Sequence, residues 1–226
     1  MLVKMESFIA RREENEMNTI KLSGEVVSLP VFSHEYYGEK FYAFTLESKR
    51  LSGVTDKLNC IASEKLIDSI REHTWIALEG EIRTRNHFDR ERKKVDVDVF
   101  VMNIAPYSSD VNDVTMVGYI CKQPTYRETP KGRHISDILI ASNRENGKHS
   151  DYIPCIAWSR NAHEVVRMPV GTKVTIHGRF QSRMYLKQYE GMEPEVMTAY
   201  EVSISQIIKE EKNGEHSNGN NPVGEV

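Results

Sequence analysis

The sequence predicts an all-β protein with short helices, built as two tandem copies of one five-stranded unit, and three observations predict it. Alternating apolar and polar residues, the period of a half-buried strand, recur between residues 19 and 208. Two of these stretches resemble each other. Thr74 to Asn86 (TWIALEGEIRTRN) and Thr172 to Tyr185 (TKVTIHGRFQSRMY) each pass from two alternating apolar positions (Ile76, Leu78; Val174, Ile176) through a glycine (Gly80; Gly178) into a basic run (Arg83, Arg85; Arg179, Arg183). At 226 residues, finally, the chain is long enough for two domains that each bury a core.

Residues 1–18 carry the charged run Arg11-Arg12-Glu13-Glu14 and are expected to lie outside the fold. The first unit, 19–105, opens with a strand over Ile20 to Leu29, interrupted by Gly24 and ended by Pro30, which would remove a ladder donor. A loop is expected from Val31 to Lys40, then strands from Phe41 to Leu46 and from Leu58 to Ala62. Ser63 has the character of a helix N-cap, because Leu66, Ile67 and Ile70 follow at helical spacing. The fourth strand is Trp75 to Arg83, Asn86 to Lys94 is a charged hairpin loop, and Val95 to Ile104 is the fifth strand. Three strands, a helix and two strands is the order of an OB-fold, a five-stranded Greek-key barrel. Residues 106–114, which include PYSSDVND, are the expected linker.

The order then repeats over 115–208. Strands are expected at Met116 to Cys121, Ile135 to Ala141, Tyr152 to Trp158, Thr172 to Ser182 and Ala199 to Ile207. A short helix is expected at Asn161 to Arg167, with loops at Gln123 to Gly132 and Met184 to Met197. The copies overlay residue by residue: Gly24 on Gly118, Gly38 on Gly132, Arg50 on Arg144, Asp56 on Asp151, Cys60-Ile61-Ala62 on Cys155-Ile156-Ala157, Gly80 on Gly178, and Arg85 on Arg183. Residues 209–226 form an Asn/Gly/Glu-rich tail without the composition of a packed segment.

Formal net charge is -3, but it is unevenly placed. Residues 115–208 hold 12 Lys and Arg against 9 Asp and Glu, whereas 19–105 hold 13 against 14. The three cysteines, Cys60, Cys121 and Cys155, form no C-x-x-C pair and suit reduced thiols in a cytoplasmic protein. Matching strand positions in different units make a Cys60–Cys155 disulfide improbable. No stretch approaches the length of a membrane span, and no cofactor motif is present.

A protein that holds a single strand without reading sequence needs a basic groove for the backbone and aromatic faces for the bases. The second unit has both: Tyr152, Trp158 and Tyr185 on strands or strand ends, with Arg144, Arg160, Arg179, Arg183 and Lys187 interleaved. Tyr126 and Tyr189 fall in the two loops that border an OB-fold binding face. Any one of these aromatics taken alone reads first as core, because strands favour aromatics; the set together points to stacking. The first unit has Lys57, Ser63 and Asn86 where the second has Tyr152, Trp158 and Tyr185, so the overlay leaves it binding by charge (Lys49, Arg50, Lys57, Arg83, Arg85) or serving as a dimerisation or spacing module. The run Arg90 to Lys94 reads as a solvated hairpin tip rather than a phosphate track.

The spaced motifs Gly118, Pro124, Arg127, Thr129-Pro130-x-Gly132, Ala141-x-Asn143-Arg144, Asp151-Tyr152, Ala157-Trp158, Asn161-Ala162, Val170-Gly171, Gly178-Arg179-x-Gln181-x-Arg183 and Tyr200-Glu201-Val202 resemble the bacterial single-stranded DNA-binding protein family over about Met116 to Ile207. The resemblance implies single-stranded DNA as ligand, in replication, repair or recombination, with stacking on Tyr152, Trp158 and Tyr185 and a backbone path along Arg179 and Arg183. It implies a homodimer, which brings four OB-folds together, and a cytoplasmic, nucleoid-associated protein. Two features depart from the family. Asn146 and Gly147 stand where a further stacking aromatic is often found. The sequence ends Pro222-Val223-Gly224-Glu225-Val226 and not in an acidic tip closed by Pro-Phe, so recruitment of replication or repair proteins through such a tip is not expected.

Three other readings compete with this one. Asp96 and Asp98 share a strand face and, with Asp89 or Glu91, could hold a metal for phosphodiester hydrolysis, but the alternation with Val95, Val97 and Val99 makes a solvated outer face the better reading. No catalytic set or phosphate loop is found, so the chain is not expected to be an enzyme. An OB-fold scaffold of the primosomal kind, binding mainly protein, and a single-stranded RNA binder remain the alternatives.

Overall fold

Alternation becomes strand wherever its apolar half can be buried, and here that half fills two barrels. A computed structural model of the chain describes residues 17–89, 92–129, 131–144, 149–188 and 193–210. The first half contains β1 (Asn18–Val26), β2 (Val31–Tyr36), β3 (Glu39–Lys49), β4 (Thr55–Ser63), a 3-10 helix (Glu64–Ser69), β5 (Trp75–Asp89) and β6 (Arg92–Pro106). The second contains β7 (Asn112–Ile120), β8 (Thr125–Glu128), β9 (His134–Asn143), β10 (Ser150–Trp158), α1 (Ser159–Val165), β11 (Lys173–Lys187) and β12 (Glu195–Lys209).

Each half closes a ring of five strands. In the first, β1 pairs with β3, β3 with β4, β4 in parallel with β6, β6 with β5, and β5 with β1. In the second, β7, β9, β10, β12 and β11 close in the same order, with β10 and β12 parallel. That is the pairing scheme of an OB-fold barrel. Leu22, Leu46, Leu58, Leu78 and Val99 fill one barrel, and Met116, Ile140, Ile153, Ile176 and Phe180 the other; all belong to one continuous core. Gly80 and Gly178 lie where the last two strands of each ring slip register. A Cβ at Gly80 would collide with the Phe100 carbonyl, and one at Gly178 with that of Ser203, so the bend admits only glycine.

The barrels are joined edge to edge. β1 and β7 run antiparallel with Ile20 opposite Val114, its own counterpart in the overlay, so the pair lies on a local two-fold axis. The flanking bonds obey the same symmetry: Ser23 N–H donates to Val111 O (2.8 Å), and Val117 N–H to Met17 O (2.7 Å). Asn18 exchanges two hydrogen bonds with the Ile82 backbone, and Asn112 does the same with Phe180. Asn18, expected in the extension, and Asn112 to Val114, expected in the linker, are therefore strand residues, as is Lys209, expected in the tail.

Other local expectations change. The loops expected at Val31 to Lys40 and Gln123 to Gly132 contain β2 and β8, whose residues are exposed or only partly buried; edge pairing to β3 and β9 holds them, so no buried face wrote alternation into the sequence. The loops expected at Asn86 to Lys94 and Met184 to Met197 are largely ladder for the same reason. Ser63 does cap a helix, accepting from Lys65 N–H (3.3 Å), but the helix is a short 3-10 turn. Asp98 is buried, not solvated, and Asp96 is ion-paired to Arg85 (3.2 Å). Among the described residues no group of three or more His, Cys, Asp or Glu side chains is arranged to hold a metal, and no helix is long and apolar enough to cross a membrane.

Cys60 and Cys155 are buried and free, and Cys121 is partly buried. Burial pushes all three thiols up, most strongly Cys60 and Cys155. Because the thiolate is the reactive form, native protein at pH 8 should titrate at most one thiol with a chromogenic disulfide reagent, and three after denaturation. Rapid native reaction of two or more would contradict this packing.

Candidate nucleic-acid interface

Two reciprocal clasps set the geometry of the surface between the barrels. Arg50, in the turn after β3, donates Nε and Nη2 to Asp56 (both 2.6 Å), and Nη2 also reaches the Ser182 carbonyl of the second unit (3.0 Å). Asp56 accepts in turn from Ser182 N–H (2.8 Å) and Oγ (3.2 Å). Arg144 repeats this from the other side. Its Nε and Nη2 donate to Asp151 (both 2.7 Å), and Nη2 to the Thr84 carbonyl of the first unit (3.4 Å). Asp151 accepts from Thr84 N–H (2.6 Å) and Oγ1 (3.2 Å). Both carboxylates are almost fully buried with every oxygen satisfied, and hydrogen bonding to them pushes both arginines up. Arg144, expected at the second unit's binding face, is thus held in a clasp and borders the first unit's outer surface.

Trp158 ends β10, and its indole N–H donates to Ser203 Oγ on β12 (3.2 Å), which fixes the ring while leaving it partly exposed. It lines an open groove of about 760 Å³ together with Arg133, Arg179, Gln181, Ser203 and, from the first unit, Arg50. Arg179 donates to Gln181 (3.2 Å), and burial, followed by the charge of Arg50, pushes its guanidinium pKa down. Three arginines, one of them (Arg50) already clasped by Asp56, thus face one groove against the single carboxylate of Asp113, an excess of cations that favours an added anion.

The other expected residues are distributed around this groove. Tyr185 (37% exposed) and Lys187 line a separate hollow of about 320 Å³ shared with Asn59 and Lys94 of the first unit. Arg183 lies 5.8 Å from the Tyr185 ring centre and reaches Glu201 at 3.4 Å. Tyr152 is half exposed at the seam, its N–H donating to Thr84 Oγ1 (3.1 Å). Tyr126 packs on His134 and His163 (ring centres 5.7 and 5.2 Å). Arg160 is largely exposed on α1 and paired with Glu164 (2.8 Å). Tyr189 lies outside the described residues. The structure therefore brings Trp158 and Arg179 together, and Tyr185 with Arg183 and Lys187; Tyr126, Tyr152 and Arg160 stand apart from both. Arg133 and Ser203 were not singled out from sequence: a lone basic residue after Gly132 and a strand serine carry no signal until the barrel sets them beside Trp158.

A double OB barrel with an aromatic and basic groove is the class of a single-strand-binding module. The model of the single-strand binding protein family matches residues 111–208. Single-stranded DNA-binding protein 1 of Staphylococcus aureus is 32% identical over 115 residues, 48% of this chain and 67% of that protein. The single-stranded DNA-binding protein of Oceanobacillus iheyensis is 29% identical over 119 residues, 48% of this chain and 71% of that protein. The crystal structure of the single-stranded DNA-binding protein from Thermus aquaticus matches with a TM-score of 0.71 at 18% identity, covering 91% of this chain and 98% of that one, a likeness of fold across both barrels. The chain belongs to the single-strand binding protein family.

Removing one member of a clasp strands its partner. Asp151→Ala should lower stability by about 3 kcal/mol, the low end of the cost of breaking a buried pair, because Arg144 keeps some contact with water. Asp56→Ala should cost about the same, as checked by urea unfolding; a loss under about 1 kcal/mol in both would contradict the clasp.

Proposed function

We propose that this chain binds single-stranded DNA without strong sequence preference, holding bases by stacking and the backbone by charge, in replication, repair or recombination. The observation that carries the reading is the Trp158 groove: an indole oriented by Ser203, with Arg50, Arg133 and Arg179 around it. A flat apolar face beside the Arg133 and Arg179 guanidiniums suits a base and its phosphate. Stacking on an indole also suits any sequence, since every base has a π-face. Family membership supports the same ligand. The role is one of binding and not of catalysis. Tyr185, Arg183 and Lys187 extend the path beyond the groove, and Tyr152 marks its crossing between units.

In this reading, residues 19–105 and 115–208 are two OB domains, and a homodimer presents four. The protein acts in the cytoplasm on the nucleoid, in contact with replication or repair proteins.

The chain has two tryptophans, Trp75 and Trp158, so Trp75→Phe leaves Trp158 as sole reporter. Titration with poly-thymidine should quench its emission, with affinity falling as salt rises. Trp158→Ala should weaken binding by about 1–3 kcal/mol. Tighter binding of poly-uridine than of poly-thymidine would move the ligand to RNA, and absence of binding to either would overturn the reading.

A further inference from the structure

The residue-by-residue overlay gives the first unit Ser63 where the second has Trp158, and so leaves it without a stacking platform. The barrel register says otherwise. Val101 faces the bulge glycine Gly80 on β5, and Ile204 faces Gly178 on β11, so Phe100 on β6 is the counterpart of Ser203 on β12. The parallel pairings agree: Ile61 is opposite Phe100, and Ile156 opposite Ser203. The second unit carries a large ring at the end of β10 over a serine on β12; the first carries a serine at the end of β4 and a large ring on β6. The aromatic has crossed one strand while staying on the same outer face.

Around Phe100 the first unit has gathered a cluster of rings and one guanidinium. The Arg83 guanidinium lies 3.5 Å over the Phe100 ring and is oriented by Glu81 (2.9 Å). Phe41 is 5.7 Å from Phe100 and tilted by 39°, and His34 is stacked on Phe41 at 5.0 Å with an interplanar angle of 11°. Tyr36, 61% exposed, stands at the rim. These groups line an open groove of about 790 Å³ whose far wall is Arg144 and His149 of the second unit. It is the two-fold counterpart of the Trp158 groove, since each is bordered by the clasp arginine of the other unit, Arg144 in one and Arg50 in the other.

We propose that this groove is a second single-stranded DNA site, with one base stacked on the Arg83–Phe100 platform, a neighbouring base on Tyr36, and the backbone running toward Arg144 and His149. The inference rests on the reading of the chain as a single-strand binder. An arginine held flat on an aromatic offers a base both a planar face and a cation, and the position is one the fold has already used for Trp158.

In a chain carrying Trp75→Phe and Trp158→Phe, the substitution Phe100→Trp makes this groove report alone. Poly-thymidine should quench it, as it quenches Trp158 in the Trp75→Phe chain. Quenching at Trp158 with none at Phe100→Trp would overturn the second site and leave single-strand binding intact; absence of quenching and of binding in both would overturn both. Tyr36→Ala, exposed and remote from the core, is the check that does not depend on repacking. It should weaken binding of a long oligothymidylate about tenfold and leave one too short to extend beyond the Trp158 groove unchanged. Equal affinity of Tyr36→Ala and the parent for the long strand would overturn the proposal.

Discussion

Two buried carboxylates, Asp56 and Asp151, hold this molecule in its working shape. Each accepts a two-pronged arginine from its own barrel and a backbone N–H with a hydroxyl from the other. A buried carboxylate is tolerable only when it is paired and hydrogen-bonded, and here Oδ1 of each gains its backbone N–H and hydroxyl only when the barrels are docked. Docking is thus written into the charge balance of each clasp and does not depend on the β1–β7 ladder alone. The ladder supplies direction and the clasps supply register, since Ser182 and Thr84 each reach their carboxylate at one relative setting of the barrels.

This constraint shapes both grooves. Each clasp arginine projects across the seam to become a wall of the neighbouring unit's surface. The same residues that fix the barrels therefore line each outer face with a guanidinium already paired to a carboxylate. Divergence between the copies spares the chemistry of the clasps, in which Thr84 and Ser182 supply the same backbone N–H and hydroxyl. Arg50 and Arg144, Asp56 and Asp151, and Gly80 and Gly178 are kept in both copies, while the residues between them on the outer face change freely.

Much of this was legible in the sequence because burial and close approach leave marks there. Alternation revealed the ten barrel strands, and the matched glycines revealed the repeat, since Gly80 and Gly178 sit where a carbonyl of the next strand leaves no room for a Cβ. β2 and β8 were not legible, because edge strands with both faces exposed have no reason to alternate. The arginine and aspartate pairs were visible as matches, but that each grips the opposite unit is a fact of docking and not of spacing. Trp158 carried a signal in its motif. Phe100 carried none, since an overlay compares positions along the chain, and a ring that moves to the neighbouring strand on the same face leaves its old position empty.

The outer faces have exchanged more than a ring. Where the second unit has Arg179 hydrogen-bonded to Gln181, the first has Glu81 paired to Arg83. The second groove keeps an unshared positive charge beside Trp158; in the first, that charge is answered by a carboxylate, and the guanidinium is laid flat on Phe100. Attraction for a polyanion scales with the charge left unneutralised, whereas stacking scales with exposed planar surface and is far less sensitive to salt. On the proposed reading, the second groove therefore suits capture at a distance, and the first contact once a strand is near. A chain with one barrel of each kind would join both properties in one molecule, which two identical barrels would not do.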